Sequence, residues 1–90
     1  MSIWDIRKPT AHMRKLCRSL GEQYRIMDID LERVIYRDFG NGYDVEISGV
    51  NTSSTKKKAN IYLWKAGLRI VERHIGVSQD EIGSAVDALL

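Results

Sequence analysis

The stretch Tyr36–Gly49, "YRDFGNGYDVEISG", constrains the fold more than any other part of the chain. Two segments of alternating apolar and polar residues flank an Asn-Gly step. Asn41 and Gly42 both accept a left-handed backbone, so the step suits the two central positions of a type I′ turn. The expected product is a β-hairpin. A two-residue loop sets Arg37 opposite Glu46 and Tyr36 opposite Ile47. A three-residue loop sets Asp38 against Asp44, a like-charge pair that opposes pairing, so the two-residue loop is the expectation. A helix over 31–39 also fits Leu31, Val34 and Ile35, but the turn signal favours the hairpin.

The flanking segments complete an α+β pattern. Met13, Leu16, Cys17 and Leu20 recur at helical spacing behind Pro9, with Gly21 as terminator. Arg14, Lys15 and Arg18 lie largely off that apolar stripe. Near the other end, Ser78 and Glu81 have the spacing of a capping box, flanked by Val77 and Ile82 as a hydrophobic staple. Ile82, Ala85, Val86 and Leu89 then form a stripe, and Gly83 inside it suggests a close approach of another backbone. Between the helices the period is two: "YRIMDI", the Asn-Gly hairpin, then "ANIYLWK" and "LRIVERHI" around Lys65-Ala66-Gly67. The simplest architecture is an N-terminal helix, an antiparallel sheet of three to five strands built from hairpins, and a C-terminal helix, the helices packed on one face.

Ninety residues support one core, so residues 1–90 read as a single domain. Domains this small are marginally stable, which makes a homodimer one expected state. Cys17 is the only cysteine, which excludes an internal disulfide and fits a reducing compartment. No stretch has the length or apolarity of a signal peptide or a membrane span, so a cytoplasmic protein without a membrane partner is expected. Asn51-Thr52-Ser53 matches a glycosylation sequon that has no meaning without secretion. Net charge is only +2, but its signs are segregated. Residues 1–25 carry six basic against two acidic side chains, 26–50 two against six, 51–75 six against one, and the last fifteen only three acids. Oppositely charged elements lying side by side would explain the alternation, and so would a polarised surface that steers a charged partner.

The candidate sites follow from the same stretches. Gly40-Asn41-Gly42 is not a phosphate loop, because Val45 stands where a dinucleotide fingerprint needs its third glycine and a strand follows where a helix is required. Asp44 and Glu46 share a strand face with Cα atoms roughly 6.5–7 Å apart. A metal-dependent nuclease of the restriction-endonuclease type needs a lysine two positions after the acid, and Ser48 stands there. His12 and His74 have no metal-ligand spacing, and Cys17 fits the apolar stripe, so no catalytic residue, metal or cofactor is assigned. What remains is binding. Asp38, Asp44 and Glu46 form a candidate acidic contact face. "TKKKANIYLWK" is the alternative: Lys56, Lys57, Lys58 and Lys65 would track phosphates while bases stack on Tyr62 and Trp64. Against it, small domains usually pack such aromatics under a helix. Trp4 is a further candidate for a contact or dimer surface.

In size and element order, through "VSQDEIGSAVDALL" and "YRDFGNGYDVEISG", the chain resembles the small α/β accessory proteins of phages and mobile elements, anti-CRISPR inhibitors among them. The resemblance implies a non-enzymatic protein that binds a protein or nucleoprotein complex of a host defence and acts by occlusion. Direct nucleic-acid binding is the other expectation.

Overall fold

The computed structural model describes residues 10–29, 32–50 and 58–89. Helix α1 (Ala11–Leu20) leads into strands β1 (Arg25–Ile29), β2 (Glu32–Asp38), β3 (Tyr43–Ser48), β4 (Lys58–Lys65) and β5 (Arg69–Ser78). A 3₁₀ turn (Gln79–Glu81) and helix α2 (Ile82–Asp87) follow. The strands form one antiparallel meander in the order β1-β2-β3-β4-β5. The chain is therefore an α+β fold, with two helices and a five-stranded sheet among the described residues, and the segment 32–38 is strand, not helix. No helix among the described residues is long and apolar enough to cross a membrane.

Helix α1 starts where Thr10 caps it, its hydroxyl accepting from the Met13 N–H at 3.1 Å. It ends at Gly21, whose φ of +121° few other residues adopt. Pro9 lies outside the described residues. Met13 and Cys17 are buried, with Leu16 and Leu20 packed beside them, and burial pushes the Cys17 thiol pKa up. Ile82 and Val86 of α2 enter the same core. From the sheet come Ile35, Val45, Ile47, Ala59 and Ile61, every second residue of their strands. Both helices thus cover one face.

Three local expectations are corrected. The first is the hairpin register: Asp38 faces Asp44, Arg37 faces Val45 and Tyr36 faces Glu46. Gly40 and Gly42 have φ of +80° and +90°, while Asn41 does not enter the left-handed region, so this is not a type I′ turn. Side chains fix the longer loop. Asp38 Oδ1 accepts from the Gly40 N–H at 2.8 Å, Asn41 Oδ1 from the Tyr43 N–H at 3.2 Å, and the Phe39 N–H donates to the Tyr43 carbonyl at 3.0 Å. The Asp38 carboxylate is turned onto the loop, which offsets its repulsion from Asp44. The type I′ arrangement occurs instead at Ala66-Gly67, with φ of +56° and +64° and the Leu68 N–H donating to Lys65.

The second correction concerns the capping box. Ser78 makes no side-chain cap, and the α-helical part starts only at Ile82, behind the 3₁₀ turn. Gln79 governs this turn. It is buried, donates its amide to the Lys58 carbonyl at 3.3 Å, and accepts from His12 Nε2 at 2.7 Å. An amide oxygen only accepts, so His12 carries its proton on Nε2. Val77 and Ile82 do enter the same core. The third concerns Gly83. A Cβ there would meet only Leu20 Cδ2 at 3.7 Å, an ordinary contact with a side chain rather than an approach of backbone.

Candidate contact face of the sheet

Alternation along each strand sends a second set of side chains to the face that no described helix covers. The register aligns Arg25, Tyr36, Glu46, Tyr62 and Arg73 in one row across all five strands. The next row is Asp38, Asp44, Trp64 and Ile70. Two sites that look separate in the sequence are therefore one surface: Asp44 pairs with Trp64 and Glu46 with Tyr62. Tyr62 and Trp64 do not pack beneath either described helix, because Ala59, Ile61 and Leu63, the alternate residues of β4, are the buried ones.

The face is closed at one end and concave at the other. Val34 and Ser48 are buried, whereas Tyr36, Asp44, Glu46, Tyr62 and Trp64 are half-buried. A depression of about 140 Å³ lies among Ile29, Tyr36, Asp44, Glu46, Trp64 and Gly67. A wider one of about 360 Å³ adjoins it between the two hairpin loops, sharing Tyr36, Asp44 and Gly67. Those loops are tied together by the Ala66 N–H, which donates to the Gly42 carbonyl at 2.7 Å.

The chemistry inside is of two kinds. Trp64 Nε1–H is shielded from solvent and has no hydrogen-bond partner among the described residues. An unmet buried donor costs about 1–3 kcal/mol, so an acceptor delivered to it is favoured. Beside it stand carboxylates, which accept only. The Tyr36 hydroxyl is pushed up to about 12 by burial, by its hydrogen bond to Asp44 and by the negative charge of Asp44 and Asp38. It therefore stays a neutral donor to Asp44 at ordinary pH. Arg25 lies 5.2 Å from the Tyr36 ring centre at the edge of the sheet.

The structure also shows what is not brought together. Arg37, expected beside Glu46, is on the helix face. Its guanidinium reaches Asp87 at 3.5 Å, donates to the Tyr24 hydroxyl at 3.3 Å, and lies over the Tyr24 and Phe39 rings. Lys65 also turns away from Trp64, its ammonium 5.9 Å from the Tyr43 ring centre. Lys58 is exposed at the start of β4, while Lys56, Lys57 and Trp4 lie outside the described residues. The acidic set is assembled together with the aromatic pair, and the lysines are not. Sequence reasoning missed Tyr36, which the wrong register hid, since only the observed pairing sets it beside Glu46; it also missed the indole N–H, whose burial only the folded sheet shows. Among the described residues, no group of three or more histidines, cysteines or carboxylates could hold a metal ion.

The chain matches no known protein family, no curated protein and no solved structure in comparisons with each.

Proposed function

We propose that the protein is a non-enzymatic binding module that docks a basic polypeptide segment of a protein or nucleoprotein on the face of its sheet that no described helix covers. One observation carries this reading: the buried, unmet Trp64 N–H adjoins the carboxylates of Asp44 and Glu46 in a concave site floored by aromatic rings. A peptide backbone offers the carbonyl that an indole N–H lacks. A lysine or arginine side chain offers the cation that carboxylates and ring faces attract. Phosphates meet the opposite balance there, because carboxylates flank both rings, so nucleic acid is the weaker reading. A protein presenting this surface acts by occlusion, covering a basic channel of its partner.

Trp64 is its own reporter once Trp4 is replaced by phenylalanine. Titrating that variant with a short arginine- and lysine-rich peptide at low salt should change Trp64 emission, and salt should weaken the effect. Asp44→Asn with Glu46→Gln should reduce affinity about tenfold or more, and Asp44→Lys with Glu46→Lys should abolish binding. Circular dichroism checks that each variant is folded. The reading fails if the peptide leaves the emission unchanged at low salt, if the charge-reversed protein binds equally well, or if single-stranded DNA binds more tightly than the peptide.

A further inference from the structure

The two edges of the sheet are unlike. β1 has five residues, whereas β5 has ten, and all eight from Arg69 to Gly76 are exposed. The exposed large hydrophobic residues of the described protein are Leu68 (83% exposed), Ile70 (43%), Val71 (41%) and Ile75 (63%). They occupy this one strand and the turn leading into it. A long edge with apolar side chains and unused backbone groups is a template for another strand.

The strand itself indicates which one. Its regular pairing to β4 covers Glu72, Arg73 and His74, facing Leu63, Tyr62 and Ile61. The ladder is irregular on either side, between Leu63 and Trp64 and again between Ala59 and Ile61. The extra residues fall at Val71 on one side and at Ile75-Gly76 on the other, so the strand is close to symmetric about Arg73. A second copy related by a two-fold axis normal to the sheet, midway between the two Arg73 residues, sets one irregularity against the other and keeps the described helices of both copies on one side. It places Glu72 opposite His74 of the second copy, and Val71 opposite its Ile75, each twice. Within one protomer Glu72 and His74 already lie 2.7 Å apart, so the two pairs join into one cluster. Centring on Glu72 would oppose two carboxylates, and centring on Val71 would oppose Arg69 to Arg73 twice. The Arg73 centre leaves a single like-charge pair, Arg73 against itself.

We infer that β5 is a self-association edge through which two copies join antiparallel about Arg73 into a ten-stranded sheet. This does not depend on the binding face described above. The contact is narrow, so the dimer is weak and concentration-dependent. Light scattering after gel filtration, from about 10 μM to about 1 mM, should show monomer passing to dimer. Val71→Lys with Ile75→Lys should weaken the dimer about tenfold or more and leave the circular dichroism unchanged, since both side chains are exposed. Arg73→Thr removes the like-charge pair and should strengthen it. Directly opposed Cα atoms in such a pair lie about 4.5–5.5 Å apart, within disulfide reach. Arg73→Cys should therefore cross-link under mild oxidation at least about tenfold faster than Arg69→Cys at the same concentration, while the native Cys17 is buried and does not compete. A protein monomeric up to about 1 mM overturns the inference. So does a dimer indifferent to the two lysines, a dimer weakened by Arg73→Thr, or equal cross-linking at the two cysteine positions.

Discussion

Ala66 is the only described residue other than glycine with positive φ, at +56°. An L-residue with a Cβ holds that conformation at a cost of about 1–2 kcal/mol, which asparagine partly escapes through local hydrogen bonds. Ala66→Asn should therefore raise the melting temperature by several degrees, at about 4–8 °C per kcal/mol for a domain of this size, measured by calorimetry. An unchanged or lower value would show that the turn is not strained. The same residue shows why turns were only half legible. Alternation announced both hairpins, and Asn41-Gly42 was the expected type I′ turn. The choice was made by the carboxylate of Asp38 and the amide of Asn41, which bond to the loop backbone and stretch it by one residue. That one residue carried Arg37 to the far face and brought Tyr36 to Glu46. Tyr36 has a pH signature of its own. Its pKa is raised from the ordinary tyrosine value of 10.0 to about 12 in the folded protein, so the unfolded chain loses this proton first as pH rises. Its contribution to stability is complete below about pH 10 and disappears as pH approaches 12. Alkaline absorbance titration should show a late-ionising tyrosine that vanishes in Tyr36→Phe, and an unchanged titration would contradict the burial of Tyr36 together with its Asp44 contact.

Elements were legible in kind and less so at their ends. The first helix appeared as expected from its apolar stripe and Gly21. The last was recognised, yet its first turn was misread, because the capping box counts only local partners while Gln79 is held by His12 and Lys58, distant in sequence. Gly83 in α2 has room for a Cβ, and replacement by alanine removes backbone freedom from the unfolded chain. Gly83→Ala should stabilise by about 0.5–1 kcal/mol in urea unfolding. Destabilisation would mean that Leu20 cannot yield. Arg37 clamps this helix to the sheet through Asp87, a contact that no period or spacing announces. The segregated charges were expected to place oppositely charged elements side by side, but Arg37–Asp87 joins two stretches that are both net acidic. Asp28–Arg33 and Glu72–His74 instead join residues of the same stretch.

At the scale of the molecule, the sheet is a meander in which every strand pairs with its neighbour in sequence. The binary pattern announced an antiparallel sheet of three to five strands built from hairpins, and the structure supplies the number and the order. The candidate face was less legible. Its parts were visible as two separate motifs, and only the register merged them. The topology also governs how the molecule assembles. Neighbouring hairpins close short loops, so the sheet can form early, whereas α1 meets the opposite end of the chain only through partners such as His12 and Gln79, sixty-seven positions apart. That link belongs after the rate-limiting barrier. Gln79→Ala should speed unfolding severalfold and leave the refolding rate nearly unchanged in stopped-flow chevrons, whereas slower refolding would place the ends in the nucleus. The bond that closes the two ends would then act as a latch: it does little to direct folding and sets how long the folded state lasts.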